Sequence, residues 1–229
     1  MRLHALNRHV DQIQLGRINC YLVRDAAGCV LIDSGLPLHG PALLDLLRRE
    51  RLQLDAVLLT HRHLDHVGSA AMLAEATGAD VVVHEADAAA VQGRERLSPL
   101  KGRWNTILGP LGALLDHRVF HYRPCRRVTI AADGWQGYGL RLIHLPGHTP
   151  GHCGYVHTES RVVLAGDSAK STGTDVRPPS RLFTVDPAAA RQSQRRLADL
   201  AAPIYGFGHG PALHAGAEAL RRLAAEKAS

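Results

Sequence analysis

Short unbroken apolar runs alternate with helical apolar stripes along most of the chain. Arg17–Arg24 and Cys29–Asp33 are two such runs around the turn Asp25–Gly28, a pattern that predicts an antiparallel strand pair. Pro41–Glu50 places Leu43, Leu44, Leu46 and Leu47 on one helical face and ends in Arg48 and Arg49, cations suited to a helix C-terminus. A buried-type strand over Ala56–Thr60, a helix from about Ser69 to Thr77 and a strand over Val81–His84 follow. Further strands are predicted over Arg141–Leu145, Gly154–His157, Arg161–Ala165 and Pro203–Gly208. Asp186-Pro187 is a helix start, an N-cap followed by proline, for a helix reaching about Leu200, and Gly216–Lys227 reads as a last helix. Two strand-rich halves, each with helices, predict a sandwich with sheets inside and helices outside.

Between Gly93 and Pro124 the pattern breaks. Ser98-Pro99, Gly102, Gly109-Pro110 and Gly112 punctuate this stretch, which reads as an insertion with a short helix near Leu111–Asp116. Trp104, Ile107, Leu108 and Leu111 give it an apolar side that can act as a lid, pack as a helical pair or make a dimer contact; the lid is favoured, since substrate-shaping loops sit at strand ends. No linker or internal repeat divides the chain, so one domain over 1–229 with this insertion is expected.

Composition narrows the class without naming a chemistry. At 229 residues and 45% hydrophobic content the chain can bury a core unaided and is too apolar to be disordered. No apolar run approaches the roughly 18–20 residues of a membrane span, and Met1–Val10 lacks the apolar core of a signal peptide, so a cytoplasmic protein is expected. Cys20, Cys29, Cys125 and Cys153 form no C-x-x-C pair and read as buried free thiols. The net charge of +6 comes mostly from scattered arginines, which look like solvated surface.

The chemistry concentrates at the ends of predicted strands. After Ala56–Thr60 comes His61-Arg62-His63-Leu64-Asp65-His66, four potential metal ligands in six residues. Imidazole and carboxylate suit zinc, iron or manganese, and a two-residue step in extended backbone lets His61 and His63 converge before a helix starts near Val67-Gly68. Three more strand ends add donors: Pro146-Gly-His148-Thr-Pro-Gly-His152, Gly166-Asp167 and Gly208-His209-Gly-Pro211. A solvated polar loop accounts for one such run but not for four.

These motifs, H-x-H-x-D-H, H-T-P-G-H, G-D and G-H-G-P, resemble the metallo-β-lactamase-fold hydrolases, close to their glyoxalase II-like branch. The likeness extends to Asn19-Cys-Tyr-Leu-Val23 and Leu31-Ile-Asp-Ser-Gly35 and covers essentially the whole chain. The resemblance implies an α/β fold, a four-layer αβ/βα sandwich of two mixed sheets flanked by helices. It implies that His61, His63 and His148 hold one metal, that Asp65, His66 and His209 hold a second, and that Asp167 bridges them. Seven donors exceed the three or four that one catalytic zinc takes from protein, which favours two divalent ions, zinc first and iron or manganese as alternatives. In that arrangement two cations about 3.5–4 Å apart would hold a bridging hydroxide and polarise the substrate oxygen, with Asp65 also taking a proton from the nucleophile. His152 is expected to brace the site by hydrogen bonding, and Asp33 to hydrogen-bond backbone beside it.

The leading expectation is hydrolysis of a small carbonyl ester, a thioester, lactone or related bond. A specific hydroxyacylglutathione hydrolase is disfavoured by the short run after His209, which leaves little for the glutathione-binding helices of that enzyme. The alternative is a mononuclear iron persulfide dioxygenase using His61, His63 and His148. The β-lactamases of the fold usually lack the Asp167 equivalent, and nuclease or phosphodiesterase action lacks a basic cluster interleaved with aromatics, so both rank behind. The expected partner is a small molecule, with neither nucleic acid nor membrane. Lys170 and Arg181, beyond Asp167, are candidate cations for an anionic substrate, against a reading as solvated charge. His84, His144 and His157 read as packing residues, and no role is assigned to His4, His9, His39, His117, His121 or His214.

Overall fold

The computed structural model describes residues 1–95 and 122–226. The insertion predicted over 93–124, with its lid and short helix, therefore lies almost wholly outside the described residues.

The first half forms a seven-stranded sheet in chain order: β1 (Arg2–Ala5), β2 (Val10–Leu15), β3 (Ile18–Asp25), β4 (Gly28–Ile32), β5 (Ala56–Leu58), β6 (Asp80–His84) and β7 (Thr129–Ala131). The first four strands pair antiparallel, as a meander joined by short turns allows. From β4 to β7 the pairing is parallel, which calls for crossover connections rather than tight turns. Among the described residues three crossover helices lie along this half: α1 (Gly40–Arg49), α3 (Ala70–Thr77) and α4 (Glu85–Val91), with the single turn α2 (Leu64–Val67) between the first two.

A second, six-stranded sheet contains β8 (Gln136–Gly137), β9 (Leu140–His144), β10 (Cys153–His157), β11 (Val163–Leu164), β14 (Ile204–Gly206) and β15 (Leu213–His214), in the spatial order β15-β14-β11-β10-β9-β8. A small hairpin, β12 (Lys170–Ser171) and β13 (Val176–Arg177), projects between β11 and β14 in sequence. Helices α5 (Pro187–Asp199) and α6 (Ala217–Ala225) cover the outer face of this sheet.

Strand periodicity sorts the core into three layers. Side chains alternate between the two faces of a strand, and in the central strands both faces are buried. On the first sheet Leu22, Leu31, Val57 and Val81 point out to the helices, packing with Leu43, Leu47 and Leu73. Their neighbours Tyr21, Val30, Leu58 and Val82 point inward and meet Leu140, Leu142, Tyr155 and Leu164 of the second sheet. Ile143, Val163 and Tyr205 point outward again, under Leu197, Leu220 and Leu223 of α5 and α6. The result is the four-layer αβ/βα sandwich. All four cysteines are buried and free.

Several boundaries differ from the sequence reading, each for a local reason. The apolar pattern misses β1, β2 and β7 because their residues are largely exposed, or mix Asp11 and Gln12 into a buried strand. It misses helix α4 because Glu-Ala-Asp-Ala-Ala-Ala-Val carries too little apolar bulk to show a stripe. The helix expected from Val67-Gly68 begins instead at Leu64, directly after His63 in extended backbone. Asp65 and His66 are therefore presented from a helical turn rather than from a loop.

Candidate metal centre

The two sheets are laced together at the end where the parallel strands finish. Cys153 donates its backbone N–H to Thr60 O at 2.8 Å, and the Tyr155 hydroxyl donates to Leu59 O at 2.9 Å. Across the same seam Tyr21 donates to Phe207 O at 2.7 Å, and the Asn19 amide donates to Phe207 O and Gly210 O at 2.9 and 2.6 Å. These bonds explain why Asn19-Cys-Tyr21 accompanies the histidine motifs: its polar groups pin the loop that carries His209.

All seven predicted donors converge at this seam. His61, His63 and His148 bring one nitrogen each within 4.8 Å of the others. The same holds for Asp65, His66 and His209, and for His61, His66 and Asp167. Asp167 stands between the groups: its Oδ2 is 3.5 Å from His148 Nε2 and 3.3 Å from His209 Nε2, and its Oδ1 is 3.6 Å from His66 Nε2. Asp65 Oδ2 lies 3.5 Å from His209 Nε2 and 3.7 Å from His66 Nε2.

The outward-facing ring nitrogens are held by acceptors, which assigns the tautomers. His66 Nδ1 meets Asp33 Oδ2 at 2.7 Å, and His209 Nδ1 donates to Arg17 O at 2.7 Å. Thr60 Oγ1 gives its proton to Asp33 Oδ2, so it must accept from His61 Nδ1–H, 3.0 Å away. Thr184 Oγ1 likewise gives its proton to Ser180 O and accepts from His148 Nδ1–H at 3.1 Å. In its neutral form each of these rings presents an Nε2 lone pair on the inner side, that of His61 facing His63 Nδ1 at 3.0 Å. His152 differs: Nδ1 donates to Leu145 O at 3.0 Å and Nε2 accepts the Asp167 backbone N–H at 2.9 Å, which leaves no nitrogen for the centre.

Electrostatics follows from this crowding. Burial pushes His61 and His148 well below the ordinary histidine value, and brings His63 and His152 down to about 4. Burial also acts to lower His66, but the Asp33, Asp65 and Asp167 carboxylates outweigh it and raise that ring to about 10. For Asp167, burial is opposed by His66, His209 and His148, which together hold its carboxyl well below the usual carboxylate range.

The donor set fits divalent cations. His66 Nε2, His148 Nε2 and Asp167 Oδ1 are buried without any hydrogen-bond partner, a cost of about 1–3 kcal/mol each if nothing fills the gap. A cation removes that cost for all three at once, and imidazole with carboxylate is the set that zinc, iron and manganese accept. Gly208 is required by the same packing, since a Cβ there would fall inside contact distance of Asp167 Oδ1 and the His66 ring. Gly166 sits at φ +52°, where a side chain would also strike His152 and Thr60.

Two supporting residues escape the sequence reading. Thr60 reads there only as the end of a strand, although it links Asp33 to His61. Asp87, on the unpredicted α4, is fully buried and accepts from Arg62 N at 3.1 Å, Thr149 Oγ1 at 2.6 Å and Gly151 N at 3.0 Å. It therefore joins the His61–His63 loop to the His148–His152 loop. A carboxylate set among alanines on an apolar helix is the signal that could mark it.

The metallo-beta-lactamase superfamily profile matches residues 13–209. The chain belongs to this superfamily. Hydroxyacylglutathione hydrolase GloC of Haemophilus influenzae is 32% identical over 164 residues, spanning 71% of this chain and 71% of GloC. The Bacillus subtilis protein YobT is 30% identical over 216 residues, 90% of this chain and 88% of YobT. Among solved structures, TTHA1623 in a di-iron-bound form superimposes with a TM-score of 0.70 at 32% identity, covering 91% of this chain and 96% of that one. Such relatives make the chain a member of a metallo-hydrolase family with His/Asp metal-binding groups. Among the described residues no helix is long and apolar enough to cross a membrane.

Proposed function

We propose that this chain, taken as one catalytic unit over 1–229, is a two-metal hydrolase of small carbonyl esters, with thioesters as the first substrate class. The observation that carries this reading is Asp167: its carboxylate stands between two histidine groups, with one oxygen and two facing imidazole nitrogens buried and unpartnered. His61, His63 and His148 would hold one ion, Asp65, His66 and His209 the other, and Asp167 both. When bound, the pair would supply Lewis acidity toward the substrate oxygen and water acidified to near neutrality. Zinc is the first expectation, and the di-iron form of TTHA1623 makes iron the first alternative.

The chain's own groups divide the remaining work. His61, His66, His148 and Asp167 are buried, whereas His63, Asp65 and His209 are only partly so, which leaves the open side of the centre on their side. In this reading Asp65 Oδ2, on that side, takes the first proton of the attacking water. The water oxygen then bonds to the carbonyl carbon, the carbon–sulfur bond breaks, and the departing thiolate receives that proton from Asp65. Phe183 stands edge-on to His63 with centroids 6.1 Å apart, and with Leu182 it exposes an apolar edge beside the entrance. That edge suits an apolar part of the substrate's acyl or thiol body. The 32% identity to GloC supports thioester chemistry.

The test is metal analysis joined to a substrate panel. Wild type is expected to hydrolyse thioesters or lactones ahead of β-lactams and phosphodiesters, and Asp167→Ala, which removes the shared donor, to lose both site metals and all turnover. Two bound metals with no turnover on any carbonyl substrate would refute the reading. A single iron with oxygen consumption would replace it by the persulfide dioxygenase.

A further inference from the structure

The pole of the sandwich opposite this centre carries a second convergence of donors. His9 precedes β2, Asp25 ends β3, and His157 ends β10, the strand whose other end, Cys153, touches Thr60. Four residues of strand separate His157 from that contact, about 13 Å, so the two clusters share no residue. One ligand atom each from His9, Asp25 and His157 lies within 4.8 Å of the others. His157 Nε2 is 2.8 Å from Asp25 Oδ2, and Glu159 Oε1 is 3.3 Å from His9 Nε2.

We propose that His9, Asp25, His157 and Glu159 form a divalent-cation site of zinc-binding character at this pole. Two imidazoles and two carboxylates are a four-donor set that zinc takes in tetrahedral form. With bonds of about 2.0–2.2 Å such donors stand about 3.3 Å apart. The His157–Asp25 pair at 2.8 Å and the His9–Glu159 pair at 3.3 Å are near that spacing, and the exposed Glu159 would swing in to complete the set. The His9 ring is already turned the right way, since its Nδ1 donates to Arg24 O at 3.2 Å and its Nε2 lone pair then faces Glu159. His157 is fully buried; its Nδ1 accepts the Ser160 N–H at 3.2 Å and its Nε2–H donates to Asp25 Oδ2 at 2.8 Å. A metal at Nε2 would take the place of that proton, with the ring proton moved to Nδ1 against Ser160 Oγ, 2.8 Å away. The cluster also attracts positive charge as it stands. The Arg8 guanidinium pairs with Glu159, and its Nε donates to His9 Nε2 at 2.7 Å. Arg8 is mostly exposed and can swing into solvent when a divalent ion takes its place. The cation would tie the N-terminal strand pair of the first sheet to β10 of the second, across the seam the catalytic donors leave unlinked.

The experiment is a zinc titration of the full chain after chelator treatment, with metal content read by elemental analysis and stability by thermal melting. The double variant His9→Gln/Glu159→Gln changes two residues that are not fully buried, so the fold and turnover are expected to persist. It should bind one zinc equivalent fewer than wild type and lose part of the zinc-induced rise in melting temperature. As a converse, Asp167→Ala should still retain one equivalent, and should lose it when His9→Gln/Glu159→Gln is added. Equal zinc content in wild type and the double variant would overturn the proposal, and would mark the cluster as a hydrogen-bonded lock closed by Arg8.

Discussion

His66 and Asp33 meet in the buried interior at the candidate metal centre: His66 Nδ1 lies 2.7 Å from Asp33 Oδ2, and both side chains are buried. Asp33 also accepts from Thr60 N and Thr60 Oγ1, both at 2.8 Å, from a backbone at φ +59°. One carboxylate therefore fixes the ring of His66 directly and that of His61 through Thr60. Asp33→Ala is expected to leave the Thr60 N–H unpaired and cost about 1–3 kcal/mol of stability. It should also weaken metal binding about 10–100-fold, as loss of a group orienting a ligand does. Asparagine tolerates the left-handed backbone, so Asp33→Asn should fold better yet still bind metal weakly. Denaturant unfolding and chelator competition read the two effects separately.

Asp65 faces His66, His209 and solvent at once. If it carries the proton to the leaving group, Asp65→Asn should lower kcat on thioesters about 10²–10⁴-fold, the usual worth of a general acid–base. Substrates with more acidic leaving thiols should suffer less, because they need no proton in order to depart. The check is kcat across a series of thioesters of graded thiol acidity, with metal content measured on the same preparation. Full metal and undiminished turnover in Asp65→Asn would remove the proton-transfer role.

Asp87 joins the His61–His63 loop to the His148–His152 loop without reaching the candidate metal centre. Burial pushes its carboxyl above the ordinary aspartate value, while bonds from Thr149 and Gly151 and the nearby Arg62 act in the other direction. Asp87→Ala leaves buried N–H groups of Arg62 and Gly151 unpaired and should cost about 2–5 kcal/mol. Asp87→Asn keeps the shape and should recover part of that. Because neither substitution touches substrate, kcat should fall through misplaced donors, and added metal should rescue Asp87→Asn more than Asp87→Ala. Turnover followed against zinc concentration distinguishes this from simple unfolding.

How much of this is legible in the sequence depends on where the signal lies along the chain. His61, His63, Asp65 and His66 are dense in sequence, and His148, Asp167 and His209 each follow a strand of strong apolar character, so strand ends alone anticipate their convergence. The runs through Tyr21–Val23 and Val30–Ile32 are legible as strand, and the two-sided burial shows why they are continuous rather than alternating. His9, Asp25 and His157 are not legible as a group. They stand far apart in sequence and meet only because β3 and β10 end at the same pole of two facing sheets. Asp87 is hidden for a related reason, since its partners arrive from loops at Arg62 and Thr149 that no local pattern connects to α4.

His84 offers a pH readout away from the candidate metal centre. It ends β6, accepts the Ala86 N–H through Nδ1 as the cap of α4, and stacks on His144 with centroids 4.0 Å apart at 10°. Burial first, and then the neighbouring His144, bring its pKa down to about 4, against the opposing pull of Glu85 and Asp133. In the unfolded chain an ordinary histidine titrates near pH 6.5. Between these values the unfolded state binds the extra proton, so this contribution to stability is full above about pH 6.5 and is lost as pH falls toward 4. Protonated Nδ1 can no longer accept the Ala86 N–H, so the cap is lost with it. Asparagine caps a helix without titrating in this range. His84→Asn should therefore melt less steeply with falling pH than wild type over that window, with the two curves converging at the acid end. Parallel curves for the two proteins would show that His84 is not a source of the acid sensitivity.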